Sequence, residues 1–333
     1  MNPRLPDTVA EFGAAAEKAF IALGGIDHAR AAEADPGRRD KAAGAIEALG
    51  VGQLDPFEDL DSAAAAGELA RVAGRVVLPY PVASVLAAAE PGGDSPCPFA
   101  PAGTDLLVDH GDLFPMWNVA GLHGTIRAAA PDGAALGTRL GPFVGRLRPT
   151  AANGAVNGVQ GHRDGRPRLD LHLILTAWLV LGAVERALEL AVEHVTGRVQ
   201  FGQTLSSFQA VQFQLADAAV GVDGLRELCR FALWRWWTES ERCRPDSLAV
   251  RLHALDVGRA VLRTSQQLHG ASGVCDEYDI SVLCRHLQPA LRLPFGAERA
   301  AEELADAVAR HGFAGLFDHG GAGSVLAGSV PAR

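Results

Sequence analysis

An arginine between two apolar segments is the first residue whose type and position suggest chemistry. Arg198 follows a long apolar run, residues 171–195, and Gly197 lies directly before it. Because glycine is typical of the position after a helix, Arg198 is predicted at the corner between two helices. The planar guanidinium can donate two parallel hydrogen bonds to a pyrophosphate. Arginines at such corners also cap helix carbonyls or lie in solvent, so position alone leaves both roles open.

Two longer strings extend this observation. Residues 198–217 combine Arg198-Val-Gln-Phe-Gly with Phe208-Gln-Ala-Val-Gln and Leu215-Ala-Asp. Residues 267–278 read Gln-Leu-His-Gly-Ala-Ser-Gly-Val-Cys-Asp-Glu-Tyr. In this order the two strings resemble the C-terminal helical domain of acyl-CoA dehydrogenases, with Ala271 in place of the second glycine of a Gln-x-x-Gly-Gly-x-Gly signature. The resemblance covers roughly residues 165–300 and is weak before them.

The resemblance implies that FAD binds across a subunit boundary and that this chain supplies the nucleotide half of the site. Carried over by position, Arg198 would contact the pyrophosphate, and Phe201 and Gln209 would line the nucleotide. The second string would follow the diphosphate and adenosine through Gln267, Leu268, His269, Gly270 and Ala271. A glycine at position 270 permits close approach of the backbone to a ligand.

The same resemblance implies removal of the α-proton of an acyl-CoA by a glutamate, while a β-hydride leaves to the flavin. At the commoner family position for that glutamate, this sequence has Phe295, within Leu293-Pro-Phe-Gly. The alternative position falls on His172, which at a helix start would usually lie at the surface or cap the helix. Glu298 is out of register, and Glu277 belongs to the signature itself. We therefore expect no catalytic residue in this chain.

The middle of the chain also lacks the family's Thr-Glu-Pro-x-x-Gly-Ser-Asp segment, which holds the flavin ring; residues 101–105 match it only in part. This combination resembles the shortened, non-catalytic subunit of a heteromeric α2β2 acyl-CoA dehydrogenase of the steroid type. The resemblance implies a catalytic paralogue as partner, a bulky steroid side-chain acyl-CoA as substrate, and an electron-transfer flavoprotein or similar acceptor. Two alternatives stay open: a self-sufficient flavoenzyme with an unusual base such as His172, and a catalytically inactive ligand-binding or scaffold homo-oligomer.

Composition argues against several other classes of protein. The chain has 333 residues, a formal net charge of −9 and only two lysines, Lys18 and Lys41. Its arginines are scattered among acids, so no basic face predicts a nucleic-acid or polybasic membrane partner. The five cysteines show no Cys-x-x-Cys spacing, and no metal site is predicted. Without a signal peptide, this odd number of cysteines predicts a reducing, cytoplasmic location.

The elements that would position these residues form three regions and a tail, in a mainly α fold with a small β insert. An N-terminal helical domain, 1–92, is predicted to have helices at 8–22, 38–49, 62–74 and 81–89. A reduced β-domain, 93–167, is predicted to have strands near 105–110, 113–117, 125–127 and 143–148. A C-terminal four-helix bundle, 168–312, is predicted to have helices at 171–195, 207–237, 247–269 and 279–291, followed by one at 297–310. A flexible tail is predicted for 313–333.

Several helix starts carry predicted caps. Capping boxes are expected where Glu11 follows Thr8 and within residues 206–209, which would start a helix near Ser207. Ser62 and Asp170 are expected to be N-caps. The long bundle helices have more apolar surface than one bundle can bury, which favours oligomerisation.

Overall fold

The computed structural model describes residues 6–88, 106–122, 126–133, 140–150 and 166–312. The predicted tail and the partial match at 101–105 lie outside these ranges. The N-terminal helices are α1 (Asp7–Leu23), α2 (Ile26–Ala32), α3 (Gly37–Ala48), α4 (Leu60–Arg75) and α5 (Val82–Ala88). The strands that follow are β1 (Leu106–Asp109), β2 (Trp117–Ala120), β3 (Ile126–Pro131) and β4 (Val144–Pro149).

The C-terminal part contains the long helices and a short hairpin. The helices are α6 (Arg166–Gly197), α7 (Gln209–Thr238), α8 (Arg244–His269), α9 (Asp279–His286), α10 (Gln288–Arg292) and α11 (Ala297–His311). The hairpin between α6 and α7 consists of β5 (Val199–Gln200) and β6 (Gln203–Thr204). The predicted fourth helix is divided into α9 and α10, because Pro289 has no amide hydrogen with which to continue α9.

Helix α6 forms the centre of the molecule. It packs against α4, α7 and α8, and one hydrophobic core continues from the N-terminal helices into the bundle. In the part of the chain that the structure describes, α6 is the one helix long and apolar enough to cross a membrane, and 78% of its apolar stretch is buried inside the protein. Such burial is typical of the core helix of a globular protein.

Two glycines let α4 and α6 cross closely. A Cβ atom on Gly74 would lie 1.9 Å from the carbonyl oxygen of Leu179, and one on Gly182 would lie 1.8 Å from that of Arg71. Each helix therefore touches the backbone of the other, and no larger residue fits unless the helices move apart. The guanidinium of Arg71 also donates to the carboxylate of Glu185 across this crossing (2.6 Å).

The four strands form one antiparallel sheet in the order β1-β4-β3-β2. Its own small core consists of Val108, Trp117, Val119, Ala129 and Leu147. The second strand begins at Trp117 and not near 113, because residues 111–115 form a turn, and the Trp117 indole donates to the carbonyl of Gly111 (3.0 Å). The predicted fold class, mainly α with a small β insert, is confirmed.

The predicted caps of the N-terminal helices are wrong. Helix α1 follows Pro6 and has no side-chain cap, so the box of Thr8 and Glu11 does not form. Helix α4 is capped by Asp59, whose carboxylate accepts from the amide of Ser62 (2.6 Å). An aspartate three residues earlier thus takes the role that the sequence suggested for Ser62.

The predicted caps of the bundle helices are also wrong. Ser206 and Ser207 lie in a 3-10 turn, and α7 begins only at Gln209, without a side-chain cap. Helix α6 begins at Arg166, so Asp170 lies inside it and not at its start. There its buried carboxylate pairs with Nε of Arg244 (2.8 Å), which ties α6 to the start of α8.

Candidate functional site

A short hairpin with a two-residue turn follows Arg198 and carries the first part of the string at 198–217. Strands β5 and β6 pair antiparallel, and Phe201 and Gly202 form their turn with φ angles of 54° and 80°. A type I′ turn requires two such left-handed residues, which is unfavourable for a phenylalanine. The Phe201 side chain is nevertheless 88% exposed, and its ring meets the ring of Phe208 edge-on at 6.2 Å. An exposed aromatic on a strained turn is typical of a contact surface.

Arg198 is fixed through its backbone while its side chain stays open. Its amide donates to the carbonyl of His194, and its carbonyl accepts from the amide of Leu205, both at 2.9 Å. The side chain is exposed and, within the described residues, has no hydrogen bond or ion pair. By contrast, the guanidinium of Arg71 is paired with Glu185. An unpaired guanidinium on a rigid corner is suited to bind an anion.

The second string ends α8 and begins a 3-10 turn, Gly270–Val274. Gly270 has a φ of 61° and a ψ of −136°, a conformation that favours glycine. Gln267, Gly270 and Ala271 are exposed, so the methyl group of Ala271 does not close the surface. Leu268 and His269 are buried, so a nucleotide would meet their backbone and not their side chains.

An apolar cluster and a ring contact bring the two strings to the same end of the bundle. The cluster consists of Ala191, Val195, Leu205, Val211, Leu215 and Leu268. The imidazoles of His194 and His269 stack at 4.4 Å, and Nδ1 of His269 lies 2.7 Å from the carbonyl oxygen of Ser265. Burial, His269 and Arg198 together lower the pKa of His194, which favours the neutral ring in this stack. The sequence interpretation missed His194, although it lies one helical turn before Arg198.

Gln209 has no role in capping α7. Instead, Gln212 stabilises the 3-10 turn before α7, because its side-chain amide donates to the carbonyl of Ser206 (3.0 Å). Gln209 is exposed as the first residue of α7. Its side chain is therefore accessible for the nucleotide contact that the resemblance implies, and that contact stays a prediction.

A cavity of about 90 Å³ lies near the other end of α6, between the α4–α5 connection, β1 and α10. Its walls are mainly apolar and include His110, His172 and His286. Phe295, which stands at the expected glutamate position, is buried and does not line this cavity. The Phe295 carbonyl accepts from Nη2 of Arg251 (2.9 Å), which holds this loop against the core.

His172 does not lie at the surface, contrary to the interpretation of a helix-start histidine. Because α6 begins at Arg166, His172 is inside the helix and buried. Burial, with a contribution from the charge of Arg251, lowers the pKa of His172 to about 3. Such a weak base is poorly suited to remove a carbon-bound proton near neutral pH.

Asp109 is the one carboxylate among the described residues that line the cavity. It accepts a hydrogen bond from the amide of His110 (3.1 Å). Burial raises the pKa of Asp109, although 36% of its side chain is exposed, which limits this effect. The sequence interpretation missed this aspartate, because residues 105–110 read as an ordinary strand. Within the described ranges, no three or more His, Cys, Asp or Glu side chains are grouped as a metal site.

Comparison with protein families places the C-terminal half. Residues 166–300 match the family described as acyl-CoA dehydrogenase, C-terminal domain. The probable acyl-CoA dehydrogenase YngJ of Bacillus subtilis is 32% identical over 142 residues, which is 42% of this chain and 36% of that protein. The (2S)-methylsuccinyl-CoA dehydrogenase of Cereibacter sphaeroides is 31% identical over 166 residues, 50% of this chain and 29% of that protein. The chain thus spans about a third of the length of the curated relatives it matches.

Solved structures share the fold over nearly the whole chain. The ChsE4-ChsE5 complex from Mycobacterium tuberculosis aligns with a TM-score of 0.74 and 18% identity, covering 93% of this chain and 99% of that one. A variant of the Tcur3481-Tcur3483 steroid ACAD aligns with a TM-score of 0.72 and 21% identity, covering 92% and 99%. The fold is therefore that of an acyl-CoA dehydrogenase. Residues 166–300 thus match the C-terminal domain of that family, and over the rest of the chain the likeness is one of fold.

Proposed function

We propose that this chain is the non-catalytic subunit of a heteromeric acyl-CoA dehydrogenase and completes the FAD site of a catalytic partner. The observation that carries the proposal is the corner at Arg198, where the backbone is fixed by two hydrogen bonds and the exposed guanidinium has no partner in the described residues. Arg198 would bind the pyrophosphate, with Phe201 and Gln209 beside the nucleotide and the exposed backbone at Gly270 close to it. FAD, when bound, supplies the ring that accepts the hydride.

Exposed apolar side chains near the corner support a contact with a second subunit. The side chains of Phe201, Val199 and Phe213 are 88%, 60% and 60% exposed. Contiguous exposed apolar patches usually mark sites of interaction with another molecule. A partner that covers this surface would also enclose the nucleotide and remove competing water from the guanidinium, which strengthens the ion pair with a pyrophosphate.

The absence of a catalytic role rests on three side chains. Phe295 carries no proton-accepting group and is buried in the core. His172 is too weak a base, and Asp109 lies in a cavity of only about 90 Å³. Small-molecule sites usually have volumes of about 300–1,000 Å³. The α-proton would therefore be removed by a carboxylate of the partner.

For the substrate, we propose a bulky acyl-CoA such as a steroid side-chain thioester, held mainly by the partner. The support is the shared fold of the Tcur3481-Tcur3483 steroid ACAD and the two-component ChsE4-ChsE5 complex. We also propose an α2β2 assembly, a cytoplasmic location and an electron-transfer flavoprotein or similar acceptor.

Co-expression with a catalytic acyl-CoA dehydrogenase chain, followed by counting flavin per chain, tests this proposal. We expect one FAD for each pair of unlike chains, and loss of FAD when Arg198→Ala is present in this chain. Arg127→Ala serves as the matched control, because Arg127 is also an exposed arginine without a described side-chain partner. Only the first substitution should release flavin.

Two outcomes would contradict the proposal. FAD bound at one per chain by this protein alone, with turnover of an acyl-CoA, would make it a self-sufficient flavoenzyme. Failure to change either flavin content or activity of any dehydrogenase partner would favour an inactive scaffold.

A further inference from the structure

A second group of open arginines lies along α8, away from the Arg198 corner. It borders a groove of about 370 Å³ between α8, the end of α9, and α10. The groove is lined by Arg259, Leu262, Arg263, Gln266, Cys284, Gln288, Leu291 and Arg292. The leucines and Cys284 are buried and form the floor, whereas the arginines are exposed at the rim.

The positive charges of Arg259 and Arg263 are not balanced by acids among the lining residues of the groove. None of the eight lining residues is Asp or Glu, and Asp256, one turn before Arg259, is outside the lining. Within the part of the chain described, the side chains of Arg259 and Arg263 have no hydrogen bond or ion pair. In a protein with a net charge of −9, where arginines such as Arg71 and Arg226 pair with Glu185, this is a local excess of cations.

A buried arginine on the same helix, Arg251, holds one wall of the groove through backbone contacts. Arg251 is fully buried and donates to the carbonyl oxygens of Ala290, Leu293 and Phe295. These bonds hold the segment that contributes Leu291 and Arg292. Burial first, and then the charge of Arg259, lowers the pKa of Arg251 to about 9. Within the described residues Arg251 has no ion pair, so its charge adds to the positive potential near Arg259.

The spacing of the polar groups fits a phosphate ligand. Arg259, Arg263 and Gln266 recur at steps of four and three residues, so they share one face of α8. A four-residue step places the two arginines roughly 6 Å apart along the helix. Two guanidinium forks at that separation can each contact one or two phosphate groups. The volume lies within the range of small-molecule sites, and the apolar floor can cover a non-polar part of the ligand.

We propose that this groove binds an organic phosphate and that it does so separately from the nucleotide corner. Neither Arg198 nor the exposed residues Gln267, Gly270 and Ala271 belong to its lining. The volume of about 370 Å³ and the apolar floor favour a small molecule over an acidic segment of another protein, which would need an extended surface. The proposal does not depend on the function assigned to the Arg198 corner.

Isothermal titration of the chain with inorganic pyrophosphate and with ADP, at low ionic strength, provides the test. The double variant Arg259→Glu/Arg263→Glu should weaken binding of both probes at least tenfold. Both substitutions are at exposed positions, and an unchanged thermal unfolding temperature would show that the fold is retained. Arg127→Glu, at another exposed arginine without a described side-chain partner, should leave this binding unchanged. ADP should bind several-fold more tightly than pyrophosphate, because only ADP can cover the floor.

Several results would overturn the proposal. One is a lack of saturable binding. Another is binding that Arg198→Ala removes but the double variant retains, because that result would place the ligand at the Arg198 corner. Equal affinity for the two probes would reject the organic part of the ligand. A double variant that loses association with a partner chain while the titration stays unchanged would assign the groove to an acidic protein segment.

Discussion

The two ends of α6 differ in whether the polar side chains there are enclosed by the rest of this chain or exposed. Toward the start of the helix, His172 and Thr176 line a small cavity beside β1 and the α4–α5 connection. At its end, Arg198 and Phe201 lie exposed, with no polar partner for the guanidinium in the described residues. A rise of 1.5 Å per residue separates positions 176 and 198 by roughly 33 Å. The side chains near the start of α6 are thus enclosed by other parts of this chain, whereas those just beyond its end are exposed.

This difference indicates where the chain acts. A cavity of about 90 Å³ leaves little room for a substrate. At the corner, a cation and an aromatic ring are exposed to solvent. Binding of a ligand and of a second subunit there would bury the ring and pair the cation, which lowers the free energy of the assembly. The contrast supports the proposed role of the Arg198 corner.

The largest expected effect is destabilisation by acid of the region around His110 and His172. Burial lowers the pKa of His110 and His172 to about 3, whereas an unfolded histidine has a pKa of about 6.5. Below that value the unfolded state binds more protons, so the stability associated with the neutral rings is complete above about pH 6.5 and is lost toward about pH 3. We expect the free energy of unfolding in urea to fall by a few kcal/mol, to order of magnitude, from about pH 7 to about pH 4.

The double variant His110→Phe/His172→Gln sharpens this prediction. The phenyl ring retains the stacking with Phe143, and neither new side chain takes up a proton. The acid dependence should therefore become shallower even if the variant is less stable at neutral pH. An unchanged slope would show that other groups control the acid response.

At the open end, Arg198→Lys separates charge from geometry. Lysine keeps the positive charge but loses the planar fork that donates two parallel hydrogen bonds. We expect the dissociation constant of FAD in the heteromer to rise about tenfold, which corresponds to about 1.4 kcal/mol. Fluorescence of released flavin during dilution measures this change. Affinity equal to that of the unmodified chain would mean that a point charge is sufficient and that no fork contacts the pyrophosphate.

Phe201→Gly should move stability and association in opposite directions. Glycine adopts the φ of 54° without the penalty that a larger side chain carries, so the isolated chain should gain up to about 1 kcal/mol in urea unfolding. The heteromer should dissociate more readily, because the exposed ring is lost from its surface. Weaker stability of the isolated chain would instead show that the contact with Phe208 contributes more than the strain costs.

Asp109→Asn should have the smallest effect. If the base belongs to the partner, steady-state turnover of the heteromer should remain within about twofold, a difference below about 0.5 kcal/mol. A loss of turnover by orders of magnitude would identify a carboxylate of this chain as the base and would remove the distinction between the two ends of α6.

The sequence predicted the long helices and the corner well, because their signals are local and repeated. The apolar run of α6, Gly197 at its end, and the position of Arg198 needed no knowledge of distant contacts. Residues defined by tertiary packing were not predictable in this way. His172 looked like a surface residue until α6 was found to begin at Arg166, and Asp109 reads as part of an ordinary strand.

The caps failed for a related reason. Several residues near a helix start can accept from the same free amides, and the surrounding fold decides among them. Asp59 replaces Ser62 at α4, and the hairpin at Phe201 delays the start of α7 to Gln209. The assignment of roles to Gln209 and Gln267 rests on resemblance and on exposure, and it remains a prediction.

The glycine crossing of α4 and α6 limits how this protein can be recombined. Because Gly74 and Gly182 each face the backbone of the opposite helix, the two positions form a matched pair across the joint between N-terminal and C-terminal segments. A chimera assembled from two homologous parents should assemble correctly only when both donors bring a glycine to this joint. The helices α4 and α6 are therefore best exchanged together, as a single cassette, in any attempt to transplant the nucleotide corner onto another scaffold.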